Sequence, residues 1–279
     1  MEIVRTSGPL NDRARDEILF RGDLIVFSQI PALQALQGLL DRVVRQTLGD
    51  RFEDVDAHSS DFSARMAALL QRFNAMSQTR ELFAHALAQS GMDVTRNFAD
   101  KLFLRCVPPT EKSNAQFRGS IGYHRDTWGS NIQQQINWWT PLYPISANNT
   151  LVFDPEYWDA PVANTTAEWS FEAFREARRL ARSQSADAQI GYPYAPEAKE
   201  AIDTHKGVPI LIAPGDLLCF SSAHLHGSSP EPRSGYRFNL EMRSYCGSCR
   251  EGDGQGVTPP ENIDNAQSEP NYHWFKPLM

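Results

Sequence analysis

A histidine and an aspartate two positions apart give this chain the beginnings of a metal site. In the segment His124-Arg125-Asp126, an imidazole and a carboxylate can point the same way. Iron(II) that must also bind a bidentate cosubstrate and O₂ needs two histidines and one carboxylate on one face, with the other positions open. A His-X-Asp segment alone is a weak signal, so this chemistry requires a second, distant histidine.

The sequence offers that histidine far along the chain, in the segment PGDLLCFSSAHLHGS at 214–228. This segment contains both His224 and His226, and residues two apart lie on the same face of a strand. From the alternation alone, either histidine could complete the site.

The distal segment resembles part of the phytanoyl-CoA dioxygenase-like family of 2-oxoglutarate oxygenases. In that family a PGD turn opens a strand, HGS carries the second metal histidine, and an arginine follows. The chain has the same order in 214–216, His226-Gly-Ser228 and Arg237. The segments at 22–40 and 147–158 are also similar to the family, so the resemblance extends over about residues 20–245. Only the His-X-Asp and the PGD, HGS and arginine motifs are specific.

By this resemblance, His124, Asp126 and His226 would bind Fe(II), and Arg237 would pair with the distal carboxylate of 2-oxoglutarate. Ser228 is, separately, a candidate for a further hydrogen bond to the cosubstrate. A guanidinium suits this role because its parallel N–H donors match a carboxylate. The resemblance implies a 2-oxoglutarate-dependent non-haem iron dioxygenase of the hydroxylase type. Such an enzyme oxidises a C–H bond of a small molecule with O₂ and releases succinate and CO₂.

Other polar and aromatic residues are candidates for binding cosubstrate or substrate. The segment at 131–142, after the first motif, is predicted to be a strand. In it Gln135 and Asn137 alternate with apolar residues and could hydrogen-bond the cosubstrate, or they could form a solvated strand face. His224, Trp128 and Arg105 are candidates for contacting the substrate. Core packing for the tryptophan and solvation for the arginine are the ordinary alternatives.

Two other functions fit the same motifs. One is a cupin-type metalloenzyme that does not use 2-oxoglutarate, and the other is a non-catalytic jelly roll that binds a small molecule. Arg237 distinguishes the first of these from the dioxygenase, because only the dioxygenase needs this residue to bind 2-oxoglutarate. The substrate, and the choice between hydroxylation and desaturation, cyclisation or epimerisation, are left open by the sequence.

Composition and charge restrict the partners. The chain has 279 residues, of which 41% are hydrophobic, enough for a sizeable core. Its formal net charge of −7 gives no global basic field for nucleic acid or anionic lipid. The sequence has no apolar run long enough to span a bilayer and no signal-peptide pattern at its start. We therefore expect a cytoplasmic protein with a small-molecule substrate, and the sequence does not indicate an oligomeric state.

The four cysteines are Cys106, Cys219, Cys246 and Cys249, too few and too unevenly spaced for a disulfide framework. The last two have the spacing of half a zinc site, but no second pair accompanies them. We therefore expect reduced thiols, and the role of the Cys246 and Cys249 pair stays open.

The elements that must position the site form one domain, mainly β with flanking helices. Residues 1–100 are predicted to be a mostly helical support, with a short apolar strand at 24–27 and an amphipathic helix after Pro31. Residues 101–250 are predicted to be a double-stranded β-helix, the jelly-roll core of cupin-like proteins. A helical insertion interrupts the core at about 156–205. Residues 251–279 are predicted to be an irregular tail, whose end could be pinned to the core by aromatic side chains.

Within the insertion, Phe171, Phe174, Ala177 and Leu180 fall on one stripe of a predicted helix. The charged residues around them form a solvated helix face in the simplest interpretation. An insertion beside a barrel mouth can instead act as a lid.

The strand YRFNLEMRSY at 236–245 has a polar face with Arg237, Asn239, Glu241 and Arg243. A solvated polar face is the common arrangement for an antiparallel strand. We favour the alternative, in which this face looks into the active site, because of the interval between His226 and Arg237.

Overall fold

The computed structural model describes residues 1–109, 114, 116–117, 121–185, 188–203, 205–229, 235–247 and 270–278. The helices in these residues are α1 (Asp12–Leu19), α2 (Pro31–Leu48), α3 (Ser60–Ala75), α4 (Ser77–Gln89), α5 (Thr127–Ser130) and α6 (Phe171–Gln184). The strands are β1 (Ile3–Thr6), β2 (Leu24–Phe27), β3 (Asn97–Ala99), β4 (Phe103–Val107), β5 (Ile136–Pro141), β6 (Leu151–Phe153), β7 (Val208–Pro209), β8 (Leu217–Ser221), β9 (His226–Ser228), β10 (Arg237–Cys246) and β11 (Lys276–Pro277).

The strands form two sheets. In the large sheet, β1 pairs in parallel with β2, and antiparallel pairs then run from β2 to β8, β5 and β10. The other edge of β10 pairs first with β4 and then with β3, which also pairs with β11. The small sheet has the order β7, β6, β9. Two sheets with flanking helices confirm the predicted fold class.

The two faces of the large sheet pack against different partners because side chains alternate along a strand. On β8, Leu217 and Cys219 belong to the core shared with the helices, whereas Leu218 and Phe220 pack toward the small sheet. The same alternation places Trp138 of β5 on the helix side and Trp139 on the other. The large sheet therefore lies between a layer of helices and the small sheet.

Helix α2 packs against the large sheet as its spacing predicts. Pro31 is its first residue, a position where proline costs no hydrogen bond. Leu33, Leu36 and Leu40 are buried in the core that the helices share with the sheet. The amphipathic helix predicted after Pro31 is confirmed.

Helix α6 begins at Phe171, where the Ser170 hydroxyl accepts a hydrogen bond from the Ala173 amide. Phe174 and Ala181 are buried, but Leu180 is 46% exposed, so the predicted stripe through Leu180 is wrong. The buried residues are one heptad apart and select a face rotated away from Leu180.

The tail is attached to the core at its end. The Asn271 side chain donates to the Gly129 carbonyl at 2.8 Å, and Phe275 packs with Tyr245. Residues 251–269 lie outside the described residues, as does Cys249. Strand β11 shows that the end of the tail is not wholly irregular.

The described cysteines are free thiols, with Cys106 and Cys219 buried and Cys246 partly exposed. Among the helices that the structure describes, none has both the length and the apolar character needed to cross a bilayer.

Candidate metal centre

The two histidines face each other across a short pair of backbone hydrogen bonds. The His124 amide donates to the His226 carbonyl at 2.9 Å, and the His226 amide donates to the His124 carbonyl at 3.0 Å. His226 is the first residue of β9, so the first motif extends the edge of the small sheet. This pairing brings together two residues that are far apart in sequence.

Asp126 reaches the site from a turn rather than from a strand. It is the residue before α5, and its backbone is already helical. The strand predicted at 131–142 begins only at Ile136, because α5 and the left-handed residue Asn131 come first. The turn brings the carboxylate back toward both imidazoles.

Backbone carbonyls fix the orientation of both imidazole rings. His124 Nδ1 lies 2.9 Å from the Gly122 carbonyl, and His226 Nδ1 lies 3.0 Å from the His224 carbonyl. A carbonyl only accepts, so each Nδ1 carries the proton and each Nε2 offers a lone pair. Metal-binding histidines usually have such a partner on the ring nitrogen that does not bind the metal.

The free nitrogens converge on the carboxylate. His124 Nε2 lies 4.0 Å from Asp126 Oδ1, and His226 Nε2 lies 3.7 Å from Asp126 Oδ2. Ligand atoms of these three residues all lie within 4.8 Å of one another. Two donors that each lie about 2.1 Å from one ion can be at most about 4.2 Å apart, and both His–Asp distances lie within that limit.

The surroundings keep Asp126 ionised. Burial alone would raise the pKa of this carboxyl, but His226, His124, the Arg243 guanidinium and the Asn137 amide outweigh it and lower the pKa to about 2. Arg243 Nη1 lies 3.7 Å from Asp126 Oδ1. A carboxylate beside two imidazoles is a donor set that suits iron(II).

A chain of hydrogen bonds supports the carboxylate from behind. The Asn137 amide donates to Asp126 Oδ2, and the Ser222 hydroxyl donates to Asn137 Oδ1 at 2.6 Å. Gln135 Nε2 in turn donates to the Ser222 hydroxyl at 2.7 Å. Asn137 lies at the cavity wall, whereas Gln135 is fully buried behind it. The structure therefore places Gln135 where it holds Asn137 rather than where it would contact a cosubstrate.

The three candidate ligands lie on the wall of a cavity of about 620 Å³. The small sheet contributes Leu151 and Ser228, and the large sheet contributes Trp139 and Phe220. Helix α6 lines another part of it. A cavity of this size can hold a small molecule together with a cosubstrate.

The polar face of β10 looks into this cavity, which is the arrangement we favoured. Arg237, Asn239, Glu241 and Arg243 all line it, and Arg237 is only 3% exposed. Arg237 Nε donates to Asn239 Oδ1 at 3.2 Å. A buried guanidinium thus lies in the same cavity as the candidate metal ligands.

Ser228 also lines the cavity. Its hydroxyl accepts a hydrogen bond from the Ile121 amide at 3.2 Å, which leaves the hydroxyl proton available to a ligand.

Arg105 lies at the cavity wall and has protein partners. Its Nε donates to Glu241 Oε1 at 2.7 Å and its Nη1 donates to the Tyr194 hydroxyl at 2.6 Å. Its guanidinium also lies 4.5 Å from the centre of the Phe103 ring. The Arg105 guanidinium is therefore held in place by neighbouring protein groups.

His224 and Trp128, the other candidates for substrate contact, lie outside the cavity wall. The His224 ring is buried, 4.4 Å from the Trp158 ring. Burial, followed by the charges of His226 and Arg125, lowers the pKa of His224 to about 3, so it is neutral. Trp128 packs in a small apolar cluster with Leu225. The alternation that put His224 beside His226 does not apply, because β9 begins only at His226.

Some residues of the site were missed by sequence reasoning. Asp100 accepts from Arg243 Nε at 2.6 Å and from the Arg243 amide at 2.8 Å, which orients the guanidinium toward Asp126. Arg243 could be found from the polar face of β10. Asp100 and Ser222 carry no signal of their own in the sequence.

A scan against protein-family models and a search of curated proteins give no match. Several solved structures are similar. One is EvdO2 from Micromonospora carbonacea var. aurantiaca complexed with 2-oxoglutarate, at 10% identity, covering 97% of this chain and 97% of that chain with a TM-score of 0.49. Another is EctD from S. alaskensis with bound Fe, at 14% identity, covering 86% and 78% with a TM-score of 0.40. A third is AviO1 from Streptomyces viridochromogenes Tue57, at 14% identity, covering 85% and 96% with a TM-score of 0.40.

Proposed function

We propose that this chain is an Fe(II)- and 2-oxoglutarate-dependent dioxygenase that oxidises a C–H bond of a small molecule, with hydroxylation as the simplest outcome. The observation that carries the proposal is the convergence of His124, Asp126 and His226 on one cavity that also holds the buried Arg237. Two imidazoles and one carboxylate form the donor set of non-haem iron(II) oxygenases.

The side chains of this protein would bind and orient the reactants. His124 Nε2, His226 Nε2 and the Asp126 carboxylate would hold the iron, and the Asn137 amide would fix one carboxylate oxygen. Iron(II) with 2-oxoglutarate and O₂ supplies an oxidant for an unactivated C–H bond, as 2-oxoglutarate is converted to succinate and CO₂. The protein supplies position and exclusion of water, and the cofactor supplies the chemistry.

Arg237 would hold the distal carboxylate of 2-oxoglutarate. It is buried, it lines the cavity, and its guanidinium can present two N–H donors to one carboxylate. Ser228 would add a hydroxyl donor from the facing sheet. Both residues contact the cavity from opposite sheets, so the cosubstrate would lie between them.

Arg237→Ala tests the proposal by separating cosubstrate binding from iron binding. We expect the Kd of 2-oxoglutarate to rise by about a hundredfold, because two charge-assisted hydrogen bonds are lost. Arg237→Lys should restore part of this affinity, since lysine keeps the charge but not the fork of donors. Calorimetric titration of the iron-loaded protein without oxygen gives the Kd, and a separate Fe(II) titration should remain unchanged.

Turnover decides between the proposal and its rivals. The wild-type protein should consume O₂ and form succinate only when Fe(II) and 2-oxoglutarate are both present. A cupin-type metalloenzyme would bind iron but show the same 2-oxoglutarate Kd in wild type and Arg237→Ala. Iron binding without any succinate, in the presence of a broad set of candidate substrates, would contradict the proposal.

A further inference from the structure

We propose that the substrate of this cavity carries an anionic group, a carboxylate, phosphate or sulfate, and that a basic cluster on α6 and beside β4 binds it. The basic cluster consists of Lys101, Arg105, Arg175, Arg178 and Arg182. Because it names the substrate class for the same cavity, the inference rests on the proposed function.

The charge of the cavity is opposite to the charge of the chain. The chain contains 27 basic and 34 acidic residues, for a formal net charge of −7. The cavity wall nevertheless includes nine of the basic residues and only three of the acidic ones. Low-dielectric walls focus such a field, so the cavity should attract organic anions from solution.

The acidic residues of the wall are already engaged in ion pairs. Glu241 pairs with Arg105 at 2.6 Å, and Asp100 pairs with Arg243 at 2.6 Å. Asp126 is a candidate metal ligand. No ion pair joins Lys101, Arg175 or Arg182 to an acidic residue within the described ranges of the chain, so part of the positive charge of the cluster is not neutralised there.

The basic residues of the cluster crowd one another. Burial, followed by the charges of Arg178 and Arg105, lowers the pKa of Lys101. Burial and the charges of Arg182 and Arg105 likewise lower the pKa of Arg178. Like charges held this close destabilise one another, and a bound anion would relieve that repulsion.

The cluster lies where two cavities meet. A second cavity of about 60 Å³ shares Lys101, Arg105, Arg178 and Arg182 with the large one. Tyr194 lines both cavities, and its hydroxyl accepts a hydrogen bond from Arg105. These side chains therefore present donors to a small space at one side of the main cavity, which suits a compact anionic group.

Aromatic rings line other parts of the same cavity wall. Phe174 packs 4.8 Å from the Tyr194 ring, and Phe171 packs 4.2 Å from the Trp274 ring. All of these rings line the cavity. The expected substrate thus has an apolar body and one anionic end, and anchoring that end would orient a C–H bond toward the metal centre.

Matched probes test the charge requirement. We would titrate 1-naphthyl phosphate, 1-naphthaleneacetate and the neutral 1-naphthaleneacetamide into protein loaded with Fe(II) and saturating 2-oxoglutarate, without oxygen. The cosubstrate occupies Arg237, so the probes report on the remaining space. We expect at least one anion to bind about tenfold more tightly than the amide, the effect of one charge-assisted hydrogen bond.

Variants of α6 locate the anion. In the double variant Arg178→Gln with Arg182→Gln, the affinity for the anion should fall by about tenfold or more, whereas the affinity for the amide should stay within about twofold. The charge-matched control is Arg13→Gln with Arg51→Gln, which removes two exposed arginines outside the cavity. Arg182 is itself exposed, so the single variant Arg182→Gln keeps the test available if the double variant is unstable.

Equal affinity for anion and amide, or no binding of either anion at millimolar concentration, overturns the inference. Retained selectivity in the α6 double variant also overturns it, because the anion then binds elsewhere. The proposed function is measured separately by succinate formation in the wild-type protein. If the wild-type protein forms succinate but binds anion and amide equally, only the substrate class is refuted. If the wild type prefers the anion, the α6 double variant loses that preference and no succinate forms, only the dioxygenase is refuted.

Discussion

The two faces of the large sheet use the same strands for different purposes. On β10, Phe238 and Leu240 belong to the core that the sheet shares with the helices, whereas Arg237 and Asn239 line the cavity. On β5, the neighbours Ile136 and Asn137 divide in the same way. Because the side-chain period of a strand is two, one strand can stabilise the fold on one face and hold the site on the other.

Several buried polar groups of the cavity face are stabilised by hydrogen bonds to one another. Asn137 lies between Asp126 and Ser222, and Arg237 donates to Asn239. A buried polar group without a partner costs about 1 to 3 kcal/mol, a large part of the net stability of a domain. Substitutions on the helix face should therefore change stability most, and those on the cavity face should change binding most.

The largest expected effect on stability comes from Phe238→Ala on the helix face. The Phe238 ring is buried and packs 5.4 Å from the Phe52 ring and 5.9 Å from the Tyr143 ring. We expect the free energy of unfolding, measured in urea, to fall by about 3 to 5 kcal/mol, because the ring leaves a cavity in the core.

Asn239→Ala is the matched control on the next residue of β10. It should lower the free energy of unfolding by about 1 kcal/mol and weaken 2-oxoglutarate binding, since Arg237 Nε loses its acceptor. Equal losses of stability in Phe238→Ala and Asn239→Ala would contradict the division of roles between the two faces.

The second prediction concerns an ion pair on the helix face. Arg15 lies over the Trp138 ring at 5.5 Å, and its Nη2 donates to Asp16 Oδ1 at 3.0 Å. Burial raises the pKa of Asp16 to about 6 in spite of Arg15. An unfolded aspartate has a pKa near 3.9, so between about pH 4 and 6 the folded state binds more protons than the unfolded state. The stability contributed by this carboxyl therefore falls as the pH rises through that window.

Asp16→Asn should remove this pH dependence. Measured in urea at steps from pH 4 to 7, the free energy of unfolding of the wild type should decrease relative to the variant by on the order of 2 kcal/mol. Glu17→Gln, on the exposed side of α1, is the control and should give a curve parallel to that of the wild type. Parallel curves for wild type and Asp16→Asn would refute the burial of this carboxyl.

The sequence predicts the features that depend on local periodicity. The stripe of α2, the strands β2, β5 and β10 and the polar face of β10 follow from spacing, because burial selects one face of a regular element. The pairing of His124 with His226 follows only from the resemblance, since no local pattern joins residues so far apart. The strand predicted after the first motif begins only at Ile136, because α5 and a turn come before it and the apolar pattern does not show them.

The parts that could not be predicted are contacts between distant residues. Asp100 orients Arg243 across 143 positions of the chain, and Ser222 supports Asn137 across 85. Serine and aspartate are common surface residues, so their type gives no sign that they are buried in a network. The position of Gln135 could not be predicted for the same reason. It lies behind Asn137 because it contacts Ser222, and the alternation along its own segment does not show that contact.

A smaller effect, and the sharpest test of the cavity face, is expected for Asn137→Ala. This substitution removes the amide that holds Asp126 Oδ2, while Arg243 still lies 3.7 Å from the other carboxylate oxygen. Residues that orient a metal ligand typically contribute 10- to 100-fold to metal affinity. Because Arg243 remains, we expect the lower end, an increase of about tenfold in the Kd of Fe(II), measured without oxygen by competition with a chelator.

Ser222→Ala provides a graded comparison, because it removes the partner of Asn137 but leaves the amide in place. We expect the Kd of Fe(II) to rise by about threefold, less than in Asn137→Ala, since the carboxylate keeps its direct hydrogen bond. Unfolding in urea should separate this effect from a general loss of stability, because a merely structural role would lower stability without this order of iron affinities. An equal or larger increase in Ser222→Ala would show that Asn137 does not transmit the support to Asp126, and iron binding would then depend on the turn of α5 and on Arg243.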